Sequence, residues 1–132
     1  MEKVKNFEFS TGNLEQKEIE KINYKTFLYE QWMADTKEKT LKPTSLDTLL
    51  DTIRLYVVPE FGMYQLNQID SKMLQAHINY LAGRYSLRTV KKAYDALNSS
   101  LSYALQLGYI ENNPMQKVIK PTESGVAVKK RK

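Results

Sequence analysis

The stretch SLRTVKKAYDALNSSLSYALQLG, residues 86–108, reads as one long amphipathic helix. Val90, Tyr94, Leu97, Leu101, Ala104 and Leu105 recur at spacings of mostly three or four, which lays an apolar stripe along one side of an α-helix. Ser86 can cap its start, because a serine oxygen accepts one of the backbone N–H groups that the first turn leaves unpaired. Gly108 supplies the stop. The polar side is basic at the start, with Arg88, Lys91 and Lys92, and turns to Asp95, Asn98, Ser99 and Ser102 further along. A stripe of this length needs partners to cover it, and the residues upstream provide three further helical patterns.

The nearest is a third helix, opening after Asp70 as N-cap, with Leu74, His77, Ile78 and Leu81 on its apolar face and Gly83 at its end. Before it, Leu46, Leu49, Leu50, Ile53 and Val57 mark a second helix. Pro43 suits its first position, where the missing N–H would be unpaired anyway. Pro59 is expected to end it, since the residue before a proline is pushed out of the helical region. Glu60-Phe61-Gly62 then reads as a turn. The first helix is expected over Tyr24–Thr36, capped by Asn23, with Tyr24, Phe27, Leu28 and Trp32 near one face and a loop over 37–42. Asn112-Asn113-Pro114 marks a turn, with a short helix after it. The sum is an all-α fold, a compact bundle of four helices joined by short loops over residues 23–118. Residues 1–22 read as a flexible lead-in with one helical turn near Leu14–Ile22, and 119–132 as a linker ending in Lys129-Lys130-Arg131-Lys132.

Composition narrows the function classes. The 132 residues suit one domain, and 42% of them are apolar, enough for a core. There is no cysteine and one histidine, so neither a disulfide framework nor a protein-built zinc site is expected. No apolar run approaches the ~20 residues of a membrane span. Met1–Ser10 carries Glu2 and Glu8 and lacks the apolar stretch of a signal peptide. A cytoplasmic setting without a membrane partner is the expectation. No Gly-rich phosphate loop is present, and no cofactor is expected. His77 falls on an apolar face, where it reads as a packing residue or a minor DNA contact rather than a catalytic base. Tyr56, Tyr64, Tyr80, Tyr94 and Tyr103 read as core or core-rim residues with hydroxyls at the surface.

Charge is where function shows. Residues 1–60 hold nine Lys/Arg against eleven Asp/Glu, while residues 61–132 hold eleven against four. The net +5 therefore belongs to the second half, and such asymmetry suggests an anionic partner. Ser71 to Tyr94 is 24 residues without one acid, yet it contains Lys72, Arg84, Arg88, Lys91 and Lys92. Four of these five cluster around the start of the fourth helix, where the unpaired N–H groups and the helix dipole already favour phosphate. Ser86 and Thr89 add hydroxyls there, and Asn98 continues the polar face. The second helix offers Lys42, Thr44, Ser45 and Thr48, beside Asp47 and Asp51, which would repel phosphate.

The order of these features resembles the core-binding domain of tyrosine recombinases, the phage-integrase family. The matching pieces are Phe27…Trp32; Lys42-Pro43-Thr44-Ser45-Leu46; Val58-Pro59-Glu60-Phe61-Gly62 with Leu66 and Ile69-Asp70; Tyr85-Ser86-Leu87-Arg88-Thr89-Val90; and Ala104-Leu105-Gln106-Leu107-Gly108-Tyr109-Ile110 before Asn113-Pro114. The resemblance spans about residues 23–118 and implies a SAM-like orthogonal bundle. It further implies one half of a clamp on double-stranded DNA at the recombination core site, with the second and fourth helices facing the major groove. The catalytic Arg, Lys, His and nucleophilic Tyr of that family lie in a separate downstream domain, and no Arg…His-x-x-Arg…Tyr set can be placed here. The resemblance thus implies a non-catalytic, monomeric fragment, with a downstream catalytic domain and other recombinase protomers as partners. Its lead-in is shorter than an arm-site domain. Two other readings stay open: a helical protein-interaction module using the Tyr/Met surface, and a dimeric helix-turn-helix regulator with its turn over Leu81–Ser86, before Leu87.

Overall fold

A computed structural model describes residues 22–122. The expected lead-in, apart from Ile22, and the basic end 129–132 lie outside the described residues. Among the described residues there are four long helices. Helix α1 has an α-helical first turn, Tyr24–Phe27, and continues as a wider π-helix over Leu28–Lys37. Helix α2 is α-helical over Pro43–Thr52, π-helical over Ile53–Val57, and α-helical again over Val58–Phe61. Helices α3, Ser71–Ala82, and α4, Leu87–Gln106, are regular. Single 3-10 turns, Leu66–Gln68 and Pro114–Lys117, sit in the connections.

The ends of α3 and α4 form as local chemistry dictates. Asp70 accepts from the Met73 N–H at 2.9 Å, and Ser86 Oγ from the Thr89 N–H at 3.3 Å. At the far end of α4, Gly108 adopts φ +81°, the Gly108 N–H reaches the Leu105 oxygen at 3.0 Å, and the Tyr109 N–H reaches the Ala104 oxygen at 2.9 Å. That pair of bonds is the Schellman closure, and it needs a residue in the left-handed region.

Pro59 does not end α2, contrary to expectation. In the π segment the Val58 N–H bonds to the Ile53 oxygen, five residues back. The wider turn resets the helix, so Pro59 falls in the first turn of the Val58–Phe61 segment, where a missing N–H costs nothing. The helix therefore runs on through the expected turn, and the Gly62 N–H bonds to the Val58 oxygen at 2.8 Å. Likewise α1 extends past Thr36 to Lys37, and Glu38 closes it with a bond to the Met33 oxygen at 2.9 Å.

Helix α4 is the centre of the bundle. It packs against the π segments of α1 and α2, the first half of α2, α3 and the 3-10 turn at Pro114–Lys117. Its buried face comprises Val90, Ala93, Ala96, Leu97, Ser100, Leu101 and Ala104. Tyr94 and Leu105, expected in the stripe, are half-buried at its rim. Small residues take their place, so neighbouring helices approach closely. Tyr24, Phe27, Leu28, Trp32, Ile53, Val57, Phe61, Leu74 and Ile78 fill the space against this face. Leu46, Leu49 and Leu50, whose spacing marks this helix in the sequence, are only half-buried. The first half of α2 thus lies along the rim of the bundle, which bears on the site.

Candidate nucleic-acid interface

Helices α2 and α4 meet so that their polar faces border one groove of about 300 Å³. Ser45 and Thr48 line it from α2, and Lys92, Asp95 and Ser99 from α4. Its floor is apolar, built from Trp32, Leu41, Leu49 and Ala96. Lys37 stands at its edge with Nζ 5.5 Å from the centre of the Trp32 ring. Lys37 had been read as the start of a loop. In a helix of 3.6 residues per turn, position i+5 lies far round from position i, but the π-helix widens the turn and brings Lys37 over Trp32. The spacing rule for a regular helix conceals that residue.

Not every residue singled out in the sequence lines the groove. Arg88 and Lys91 are exposed on the same α4, one turn or less from Lys92. Among the described residues neither they nor Lys92 forms an ion pair within 4 Å, whereas Arg54 pairs with Asp51 at 3.0 Å. That pairing offsets Asp51, one of the two acids expected to repel phosphate. Lys42 is the exposed N-cap of α2, its carbonyl accepting from the Leu46 N–H at 2.8 Å, and Thr44 is exposed beside it, its carbonyl accepting from Thr48 Oγ1 at 3.1 Å. Ser86 and Thr89 have local work: Ser86 caps α4, and the two hydroxyl oxygens lie 3.2 Å apart. Arg84 lies in the turn before α4 with its guanidinium 4.7 Å from the centre of the Tyr80 ring. Lys72 is exposed in the first turn of α3 and does not line the groove. Asn98 is half-buried, and its Oδ1 accepts from Asn113 Nδ2 at 3.0 Å. The same Nδ2 donates to Ser102 Oγ at 2.9 Å, so Asn98 and Ser102 anchor the segment after α4.

A larger cavity, about 560 Å³, opens between the second half of α2 and α3, lined by Leu55, Tyr56, Tyr64, Met73, Tyr80 and Tyr85 among others. His77 stands at its wall, 9% exposed, and its Nε2 lies 2.6 Å from the Tyr56 carbonyl oxygen. Phe61 meets the imidazole edge-on and Tyr80 stacks on it. The ring is held as a packing residue. Among the described residues no group of three His, Asp or Glu is placed to hold a metal, and no helix is long and apolar enough to cross a membrane.

Comparison with known proteins agrees with this architecture. Residues 25–82 match the family model described as phage integrase, N-terminal SAM-like domain. Residues 57–120 match a second, described as phage integrase SAM-like domain. The integrase of a Staphylococcus phage is 30% identical, over 84% of this chain and 35% of the phage protein. The chain thus spans about a third of the length of that curated relative. The integrase-like domain from Bacillus cereus superposes with a TM-score of 0.71 at 24% identity, covering 78% of this chain and 86% of that one. The phage integrase SAM-like domain from Moorella thermoacetica does so at 0.64 and 22%, covering 79% and 89%. At those identities the two structures speak for the fold alone.

Proposed function

Because the chain carries, across residues 25–120, a SAM-like domain of the phage-integrase family, we propose that it binds double-stranded DNA through the face shared by α2 and α4. It does so as the DNA-holding, non-catalytic part of an integrase. In this reading a catalytic domain elsewhere in the parent protein cuts and rejoins the DNA, and other protomers act beside it at the recombination core site. The observation that carries the reading is the groove itself. It unites Ser45 and Thr48 with Lys92, next to the exposed Arg88 and Lys91.

Phosphate contacts by Lys and Arg release counterions, so affinity falls with salt. With three to five phosphates neutralised, log K should fall against log salt with a slope of about −3 to −4. Arg88→Ala and Lys92→Ala are each expected to weaken binding several-fold and to flatten that slope by about 1. A titration without salt dependence would sink the proposal. So would NMR shift changes confined to α1 and α3 when DNA is added. A second reading, a protein-interaction module, draws on the exposed Leu55, Tyr64, Tyr80 and Tyr85 around the larger cavity. Under that reading duplex DNA leaves the shifts of α2 and α4 unchanged.

A further inference from the structure

We infer that Asp95 reads a base in the DNA held by the α2–α4 groove, accepting a hydrogen bond from the exocyclic amino group of a cytosine. The inference rests on the DNA-binding reading above. Asp95 is the single carboxylate among the residues lining the groove, and it stands one turn beyond Lys91 and Lys92 on a face otherwise set up for anions. It is exposed and forms no ion pair within 4 Å with any described residue. A free carboxylate pressed against the DNA backbone would repel it. The same carboxylate is well placed if the basic start of α4 holds phosphates while the next turn faces base edges.

The chemistry then selects the base. An ionised carboxylate only accepts hydrogen bonds, so its partner must be a donor. In the major groove the donors are the amino groups of cytosine and adenine. Adenine presents the acceptor N7 beside its amino group, which opposes the second carboxylate oxygen. Cytosine presents the amino donor without that acceptor. Ser45, Thr48 and Ser99 around Asp95 can donate or accept, so they adapt to either strand without fixing the base themselves.

The test is selection from a random duplex library by the 132-residue chain, by Asp95→Ala and by Asp95→Asn, with circular dichroism to verify that each is folded. The chain is expected to enrich a C·G pair at one position. Asp95→Ala should lose that preference, by about 5- to 100-fold in discrimination, and keep the preferences elsewhere. Asp95→Asn should move the preference at that position toward adenine, whose N6 and N7 suit an amide. If all three proteins enrich the same base at every position, the inference is overturned. It is equally overturned if Asp95→Ala binds selected and scrambled duplexes more tightly by one common factor, for then the carboxylate only repels. Failure of the unaltered chain to bind any duplex would instead bring down the DNA-binding reading on which the inference stands.

Discussion

Gly62 sits where the end of α2 meets the start of α1, and a side chain there has nowhere to go. A Cβ would stand 2.7 Å from the Val58 carbonyl oxygen, 2.9 Å from Val58 Cγ1 and 3.3 Å from Lys25 Cβ. The crowding follows from hydrogen bonding. The Lys25 N–H, one of the orphan donors at the start of α1, reaches the Gly62 carbonyl at 3.1 Å, and the Tyr24 N–H reaches Tyr64 at 2.8 Å. The end of α2 thereby satisfies the beginning of α1, and only the smallest residue lets the backbones come that near. Gly62→Ala is expected to destabilise the fold by about 1–3 kcal/mol, as overpacking does, and a urea titration of variant and parent would measure it. Ser86 calls for a different separation of effects. It was read as a DNA contact, and its oxygen also caps α4. Ser86→Ala should cost about 1 kcal/mol of stability in the absence of DNA. Loss of DNA affinity without loss of stability would show the hydroxyl acting on DNA instead.

Among the elements, α3 and α4 were legible in the sequence because everything that defines them is local. Asp70 and Ser86 cap, Gly108 stops, and the apolar stripe lies between. Gly108→Ala should cost about 1–2 kcal/mol, the left-handed penalty alone, because nothing lies within 4 Å of the added carbon. Thermal melting compared with the parent would measure it, and an unchanged midpoint would contradict the Schellman closure. Helix α2 was misread at Pro59 because a proline ends a regular helix, whereas a π turn just before it shifts the count. Sequence spacing carries no mark of that turn. The buried Ala93, Ala96 and Ser100 were passed over because a search for large apolar residues ignores small ones that permit close packing. For the site, the charge at the start of α4 could be read directly. The groove could not, because Ser45 and Thr48 meet Lys92 and Ser99 only through the packing of two helices about 45 residues apart in sequence.

Across the whole molecule, three tyrosine hydroxyls join α1 to α4 and the segment after it, and they make the fold sensitive to alkali. Tyr24 donates to Ser100 Oγ, whose own proton goes to the Leu97 oxygen at 3.2 Å. Tyr103 donates to Asp35 at 2.7 Å, and Tyr109 to Gln31 at 2.8 Å. Each bond links residues far apart in sequence, so together they fasten the ends of the domain and hold α1 against the α2–α4 groove, with Trp32 in its floor and Lys37 at its edge. All three phenols are shifted upward. Burial raises Tyr103 to about 12, helped by its bond to the Asp35 carboxylate. Burial raises Tyr109, against an opposing bond to Gln31, and it raises Tyr24 most, against an opposing bond to Ser100. In the unfolded chain a tyrosine loses its proton near pH 10. The folded state keeps these protons longer, so above pH 10 the unfolded chain binds fewer protons and stability falls as pH rises. The contribution is full below about pH 10 and drains away as pH climbs through the folded values, about 12 for Tyr103. Urea midpoints should therefore be flat from pH 7 to about 9.5 and drop steeply by pH 11. Tyr103→Phe should have a shallower drop, since the phenylalanine has no proton to lose. Equal midpoints at pH 9 and 11 would mean that these hydroxyls do not hold their protons in the bonds described.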